Sequence, residues 1–140
     1  MKLSAKTEYA CLAMLQLAAE YDRGEPVQIR RIADEHGIPA RFLVQILLQL
    51  KGASLVASTR GAAGGYRLAR PPREITLANV IDVMEGDERA GTNAGKATPL
   101  VGVLLNLCRE LGEAQRDQLE DTTLADLAEQ AAQREPMWFI

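Results

Sequence analysis

Arginine, amide and glycine residues between positions 27 and 70 have types and spacings suited to binding a polyanion. Arg41 and Gln45 are one helical turn apart, and guanidinium and amide groups on one helix face can hydrogen-bond base edges or phosphates. Arg60 and Gly61 begin a glycine-rich run that ends at Arg67, where glycine lets the backbone approach a ligand closely. We expect these residues to contact duplex DNA. A solvated helix face is the alternative for Arg41 and Gln45, and ordinary surface charge is the alternative for Arg67.

Two short helices around a glycine turn, followed by a hairpin, would position these groups. The first helix is predicted over Gln28–His36, with Ile29, Ile32 and Ala33 buried and Gly37 ending it. Pro39 opens the next helix, which would bury Leu43, Ile46, Leu47 and Leu50 and expose Ala40, Arg41, Val44, Gln45 and Gln49. Strands are expected at Leu55–Ser58 and Gly65–Leu68. This order is typical of a winged helix-turn-helix, which gives a mainly α fold class with a small β-hairpin wing.

The remaining helices surround this unit and extend beyond it. Periodicity predicts a helix over Ser4–Tyr21, a second over Leu77–Glu85 capped by Thr76, a long one from Pro99 to near Asp121, and a last one over Leu124–Gln133. The long helix carries a heptad seam formed by Leu100, Leu104, Leu107, Leu111 and Ala114. A second apolar stripe of Val101, Leu105, Cys108 and Leu119 lies beside it. We expect this helix to pair with a second copy, forming a homodimer.

The charge divides between the two halves of the 140-residue chain. Residues 1–70 carry ten Lys/Arg and six Asp/Glu, whereas residues 71–140 carry six and thirteen, for a net charge of −3. A basic half can bind phosphate while an acidic half keeps the chain in solution. We divide the chain into a winged helix-turn-helix DNA-binding domain (1–86), a linker loop (87–98) and a segment that holds the dimerisation helix and the C-terminal helix (99–140). No apolar run is long enough to span a membrane and the start lacks an export core, so a cytoplasmic protein is expected.

The sulfur and imidazole groups favour neither catalysis nor metal binding. Cys11 and Cys108 lie far apart in apolar helical contexts, so we expect both to be small core residues, with a redox switch at Cys108 as the alternative. His36 is expected to assist a helix end rather than to sense pH. No nucleophile–base pair or metal-ligand set is visible, so an enzyme is not expected. The apolar end 136–140 would dock on the body or contact a partner.

Several motifs together resemble the Rrf2 family of bacterial transcriptional regulators. They are Phe42-Leu43-x-Gln45-x-Leu47, Arg60-Gly61-x-x-Gly64-Gly65-Tyr66-Arg67-Leu68, the opening Met1-Lys2-Leu3-Ser4, and Thr122-Thr123-Leu124-Ala125-Asp126-Leu127. The family includes iron–sulfur, nitric-oxide and cysteine-metabolism repressors. The resemblance implies a homodimer with two winged heads on a palindromic operator, usually repressing. The residues expected to contact DNA are Gln28, Arg30, Ala40, Arg41, Phe42, Val44, Gln45, Ser58, Arg60, Gly61 and Arg67.

The sequence departs from the family pattern at two places. Several members carry an acidic residue at the position of Val44, and valine offers only apolar contact, so the operator should differ from theirs. The cluster-binding branch carries three cysteines in the loop that here runs from 85 to 99, which contains none; we therefore predict no iron–sulfur cluster and no other cofactor. An unidentified small molecule or protein would be the effector, and loop 87–98 is either its site or a plain connector. The alternative function, supported by Val44 and Leu48, is a winged-helix module that binds protein without specific DNA binding.

Overall fold

The computed structural model describes residues 1–86 and 91–134. Over these residues it contains six α-helices, two short 3-10 turns and a two-stranded antiparallel sheet, which confirms the predicted fold class. The elements are α1 (Ala5–Ala19), α2 (Ile29–His36), α3 (Ala40–Gly52), β1 (Val56–Thr59), β2 (Gly65–Leu68), α4 (Leu77–Glu85), α5 (Pro99–Asp121) and α6 (Leu124–Arg134), with 3-10 turns at Tyr21–Arg23 and Pro72–Glu74. The apolar end 136–140 and part of the loop 87–98 lie outside the described residues. No helix within the described ranges is long and apolar enough to cross a bilayer.

Local capping chemistry explains where most helices begin. The Ser4 hydroxyl accepts a hydrogen bond from the backbone of Thr7 (3.2 Å) ahead of α1. Thr76 and Asn79 form a reciprocal capping box at α4, with donor–acceptor distances of 3.2 and 2.9 Å. Three predicted starts were one residue early, because Ser4, Gln28 and Pro39 have extended backbone angles and serve as N-caps of α1, α2 and α3. The predicted end of α1 at Tyr21 was two residues late, because Tyr21 begins a 3-10 turn. Likewise β1 begins at Val56 rather than at Leu55.

The hydrophobic core is centred on α1 and collects side chains from α2, α3, the hairpin, α4 and α6, while α5 contributes only at its edge. Its largest fully buried members are Met14, Leu17, Ile32, Leu43, Ile46, Leu47, Leu50, Ile75, Val80 and Leu124. Periodicity also places Tyr21, Leu77 and Met84 on the buried faces of their helices, but these three residues, like Ile29, are only half-buried. Each packs against the edge of the core, where part of the side chain still meets solvent.

The last helix, α6, returns to the body of the molecule. Leu124 is fully buried, and α6 packs against α1. Two backbone hydrogen bonds also join the start of α6 to the start of α4, from Leu124 N to Ile75 O (2.9 Å) and from Leu77 N to Thr122 O (2.9 Å). Thus α6 shares a core with residues of the predicted DNA-binding domain.

The long helix α5 packs mainly on α4 and leaves most of its apolar surface uncovered. Its inner flank, with Val101, Leu105 and Leu119, is half-buried. An ion pair fixes the same flank, since Arg116 Nη2 lies 2.6 Å from Asp82 Oδ2. The heptad seam points away from the other described elements, and Leu100, Leu104, Leu107, Leu111 and Ala114 are all exposed. Cys108 is exposed as well, so our expectation of a core cysteine was wrong there, because α4 covers only one flank of α5.

Candidate nucleic-acid interface

The helix-turn-helix is formed by α2, the turn Gly37–Pro39 and α3. Gly37 has a left-handed φ of 64°, a conformation that glycine adopts without a Cβ penalty, and Ile38 anchors the turn in the core. α2 is tied to α1 by Arg31, whose Nη1 lies 2.5 Å from Glu20 Oε1. His36, the basic residue of the last turn of α2, also hydrogen-bonds Gln16 Oε1 through Nε2 (2.8 Å), so it joins α2 to α1. These contacts fix the angle at which the turn presents α3.

The outward face of α3 is the exposed surface that the sequence predicted. Leu43, Ile46, Leu47 and Leu50 are buried, whereas Ala40, Arg41, Val44, Gln45 and Gln49 are all exposed. Phe42 and Leu48, also on α3, are about half exposed, at 46% and 50%. The face therefore combines one guanidinium and two amides with several apolar side chains. Such a set can hydrogen-bond base edges and also touch thymine methyl groups.

Arg41 is held against an aromatic pair at the start of α3. Its guanidinium carbon lies 5.0 Å from the centroid of the Phe42 ring, within range for a cation–π contact. Phe42 in turn packs on Tyr9 of α1, with ring centroids 6.2 Å apart and an interplanar angle of 31°. A mostly apolar cavity of about 490 Å³ adjoins the pair, lined by Ala5, Lys6, Tyr9, Phe42, Gln45 and Ile46. Sequence reasoning missed Tyr9 as part of this surface, although an aromatic residue flanking the buried stripe of α1 was a usable signal.

The wing is attached to the helix-turn-helix through its second strand. Val27 and Tyr66 exchange two backbone hydrogen bonds of 2.8 Å, which add the segment before α2 to the edge of the hairpin. A Cβ at Gly65 would lie 2.4 Å from the Val27 carbonyl oxygen, so only glycine permits this approach. Gln28, predicted to contact DNA, has its amide bonded to the Ala62 carbonyl oxygen (3.1 Å). The structure therefore places Gln28 as a link between α2 and the wing tip.

Arginines on this side of the molecule are largely unneutralised. Arg30 on α2, Arg41 on α3, Arg60 at the wing tip and Arg67 on β2 are exposed. Within residues 1–86 and 91–134, none of the four forms an ion pair. Two more predicted contacts, Ser58 and Gly61, are exposed beside Arg60. Arg67 does line a cavity together with Glu20, Asp22 and Glu25, whereas guanidinium groups that form no ion pair among the described residues are electrostatically suited to phosphate.

The available metal-ligating groups do not fit an iron–sulfur cluster. Cys11 is buried, and burial raises the pKa of its thiol to about 11, with smaller contributions from Glu85 and Glu8. A cluster is held by thiolates, usually four, and the chain has only two cysteines. Cys108 lies on a different helix, α5. In the part of the chain that the structure describes, no three His, Cys, Asp or Glu side chains are grouped to hold a metal ion.

Comparison with known proteins agrees with this architecture. The model of the Rrf2 family, described as an iron-dependent transcriptional regulator, matches residues 3–130. The HTH-type protein Rv1287 of Mycobacterium tuberculosis is 42% identical over 132 residues, spanning 91% of this chain and 81% of that protein. The solved structure of CymR, the global cysteine regulator of Bacillus subtilis, has a TM-score of 0.79 at 32% identity and covers 92% of this chain and 97% of that chain.

The structure of IscR from T. potens is similarly close, with a TM-score of 0.79 at 31% identity over all of this chain and 93% of that one. Both likenesses extend through the helix-turn-helix, the wing and α5, since they cover nine-tenths of the chain or more. The related proteins are transcriptional regulators and not enzymes. The chain belongs to the Rrf2 family of DNA-binding transcriptional regulators.

Proposed function

We propose that the protein is a repressor that binds a palindromic operator as a homodimer, with α3 of each protomer in a major groove. The observation that carries this proposal is the exposed outward face of α3 beside a wing whose arginines are free of ion pairs among the described residues. A helix presenting polar side chains from its first turns is the usual reader of the major groove. Occupying a promoter in this way blocks transcription.

The exposed seam of α5 supports pairing with a second copy. Five large apolar side chains of α5 are more than half exposed, namely Leu100, Val103, Leu104, Leu107 and Leu111. Apolar residues at heptad spacing form the stripe through which helices pair. The helix α5 has 23 residues and is therefore about 35 Å long. This length is similar to the ~34–36 Å that separates successive major grooves on one side of the duplex. A symmetric pair of α5 helices would set the two heads at the spacing that a palindrome requires.

Each predicted contact has a role in this arrangement. Arg41 and Gln45 would hydrogen-bond base edges, and Val44 would contact a thymine methyl. Arg60, at the wing tip, would reach the backbone or the minor groove. The other contacts of the wing would be Ser58, Gly61 and Arg67. Ala40 and Phe42 would make further contacts from α3, and Gln28 and Arg30 would make theirs from the start of α2.

A signal would act by changing how the heads are held relative to α5. The head is attached to α5 through α4 and the pair Arg116–Asp82. Only a ligand with different affinities for two arrangements can shift their populations. Because the thiols do not fit a cluster, the proposed effector is a small molecule or protein, and no cofactor is assigned.

Selection of binding sites from a random duplex pool, followed by salt-dependent affinity measurements, tests the proposal. We expect a palindromic sequence to be enriched. If six to ten phosphates are neutralised per dimer, affinity for it should fall by ~10³–10⁵ between 50 and 200 mM salt. Arg60→Ala should lower the salt slope by about one per head. Arg109→Ala, which removes an exposed charge from α5, is the matched control and should leave the slope unchanged.

The competing function is a protein-binding module without specific DNA binding. The apolar character of Phe42, Val44 and Leu48, each 41–50% exposed, favours it, because contiguous exposed apolar groups mark interaction surfaces. This function predicts no enriched sequence in the selection and a shallow salt dependence. A reporter driven by an enriched operator decides the sign of regulation, since a repressor lowers its output.

A further inference from the structure

We propose that Phe42 and Tyr9 position Arg41 to read a guanine, so that these three residues together determine one base of each half-site. The inference rests on the proposed function and deepens it. It assigns Phe42 a positioning role, in addition to any contact of its own with DNA, and brings in Tyr9, which lies on α1 outside the helix-turn-helix.

The stack constrains a side chain that would otherwise be mobile. Arg41 is exposed and has no ion-pair partner among the described residues, so nothing polar there fixes its long chain. The Phe42 ring, 5.0 Å from the guanidinium carbon, provides a surface for it. A guanidinium on an aromatic face keeps its N–H donors free at its edge. Stacking thus orients the group and leaves its hydrogen-bonding capacity available for a ligand.

The aromatic surface is itself fixed by the core. Phe42 is 46% exposed and would have rotamer freedom if it stood alone. Tyr9 lies at 6.2 Å in a tilted arrangement and is half-buried beside the core. Tyr9 follows the capped first turn of α1, whose buried face includes Thr7 and Ala10 on either side of it. The order of support therefore runs from the core to Tyr9, then to Phe42, and then to Arg41.

The chemistry of Arg41 and its place on α3 point to guanine. Arg41 is the second residue of α3, and recognition helices contact base edges with their N-terminal residues. The planar fork of arginine matches the two acceptors O6 and N7 that guanine presents in the major groove. Phosphate is the other ligand of this geometry, but a phosphate contact carries no sequence information. A change of base preference in an Arg41 variant therefore distinguishes a guanine contact from a phosphate contact.

The test compares site selection and affinity for wild type, Arg41→Ala, Arg41→Lys, Phe42→Leu and Phe42→Tyr. We expect wild type to select a guanine in each half-site, and replacing it with adenine should weaken binding roughly 5- to 150-fold per half-site. Arg41→Ala should abolish that preference, whereas Arg41→Lys, which keeps the charge and can still donate to O6 or N7 without the planar fork, should weaken it and keep the salt slope. Phe42→Leu should reduce the preference about 2- to 5-fold per half-site, whereas Phe42→Tyr should keep it. Tyr9→Leu, which removes the supporting ring from the other side, should act at the same base position.

The possible results separate this inference from the proposed function. Uniform loss of affinity in Arg41→Ala, with every base preference kept, would show a phosphate contact and overturn the inference while leaving DNA binding intact. Equal behaviour of Phe42→Leu and Phe42→Tyr, or an effect of Phe42→Leu at a different base position, would overturn the positioning role. Absence of any enriched sequence for wild type would overturn the proposed function and the inference with it. Circular dichroism and thermal unfolding identify a variant that fails to fold. If Phe42→Leu does not fold, Tyr9→Leu tests the positioning role in its place, and the reverse.

Discussion

Truncating Leu104 should weaken the proposed homodimer. Leu104 lies in the middle of the heptad seam of α5 and is 60% exposed in one protomer. Leu104→Ala removes three carbon groups, each worth about 0.8 kcal/mol when fully buried. If a partner covers the exposed fraction, the loss is about 1.4 kcal/mol per protomer. Because a two-fold interface contains the residue twice, the dimer loses about 3 kcal/mol, and its Kd should rise about 100-fold.

Sedimentation velocity over a concentration series measures this change directly. Alanine has the highest helix propensity and Leu104 is outside the core, so the protomer should remain folded with unchanged helical circular dichroism. Glu113→Ala is the matched control, since Glu113 is exposed on α5 away from the seam. Equal Kd values for Leu104→Ala and wild type, or a wild type that stays monomeric at every concentration, would refute the reasoning. An equally large effect of Glu113→Ala would also count against the seam.

Three further substitutions test the packing of the domain that carries the site. Gly65→Ala should lower the free energy of unfolding by about 1–3 kcal/mol, because φ is 153° and the new Cβ would meet a backbone oxygen at 2.4 Å; urea unfolding measures it. Glu20→Gln should cost about 1–2 kcal/mol in the same assay, since Glu20 is 7% exposed but its partner Arg31 is half in solvent. In Cys108→Ser, the remaining Cys11 thiol, whose pKa is raised to about 11, should react with a thiol reagent at about pH 8 only after unfolding.

The Cys11 prediction also has a pH dependence of defined sign. The pKa of the folded thiol lies above its ordinary value of 9.0, so the unfolded chain loses this proton first as the pH rises. The stability contribution is therefore complete below the ordinary thiol pKa and is lost as the pH approaches 11. Cys11→Ala should make the free energy of unfolding less dependent on pH over that range. Rapid modification of native Cys11, or unfolding free energies that rise between these values, would contradict the burial argument.

Sequence periodicity predicted the positions of the helices and strands well, because burial of one face is a local property of spacing. The bounds of β2 and α4 were correct, and those of α5 were correct at both named ends. The buried set of α3, from Leu43 to Leu50, was also correct. The family assignment is confirmed by the match over residues 3–130. The individual DNA contacts and the homodimer remain predictions.

Long-range packing decided what periodicity could not. Spacing identifies an apolar stripe but not the element that covers it, so Cys108 was expected in the core and is exposed, while the spacing within α6 did not indicate that it packs on α1. The link from Gln28 to Ala62 spans 34 residues and depends on where the wing folds back. The contact of Phe42 with Tyr9 likewise joins two helices that are distant in the chain.

The sequence by itself determined that this chain carries a helix-turn-helix with a glycine wing, since the cap, turn and spacing rules that specify them act over a few residues. Tertiary structure decided how that unit is oriented. The angle of α3, the attachment of the wing and the support of Arg41 all depend on contacts with α1 or with the segment before α2. Such contacts form only when the hydrophobic core packs, because they join residues that are distant in the chain and that local sequence patterns cannot identify.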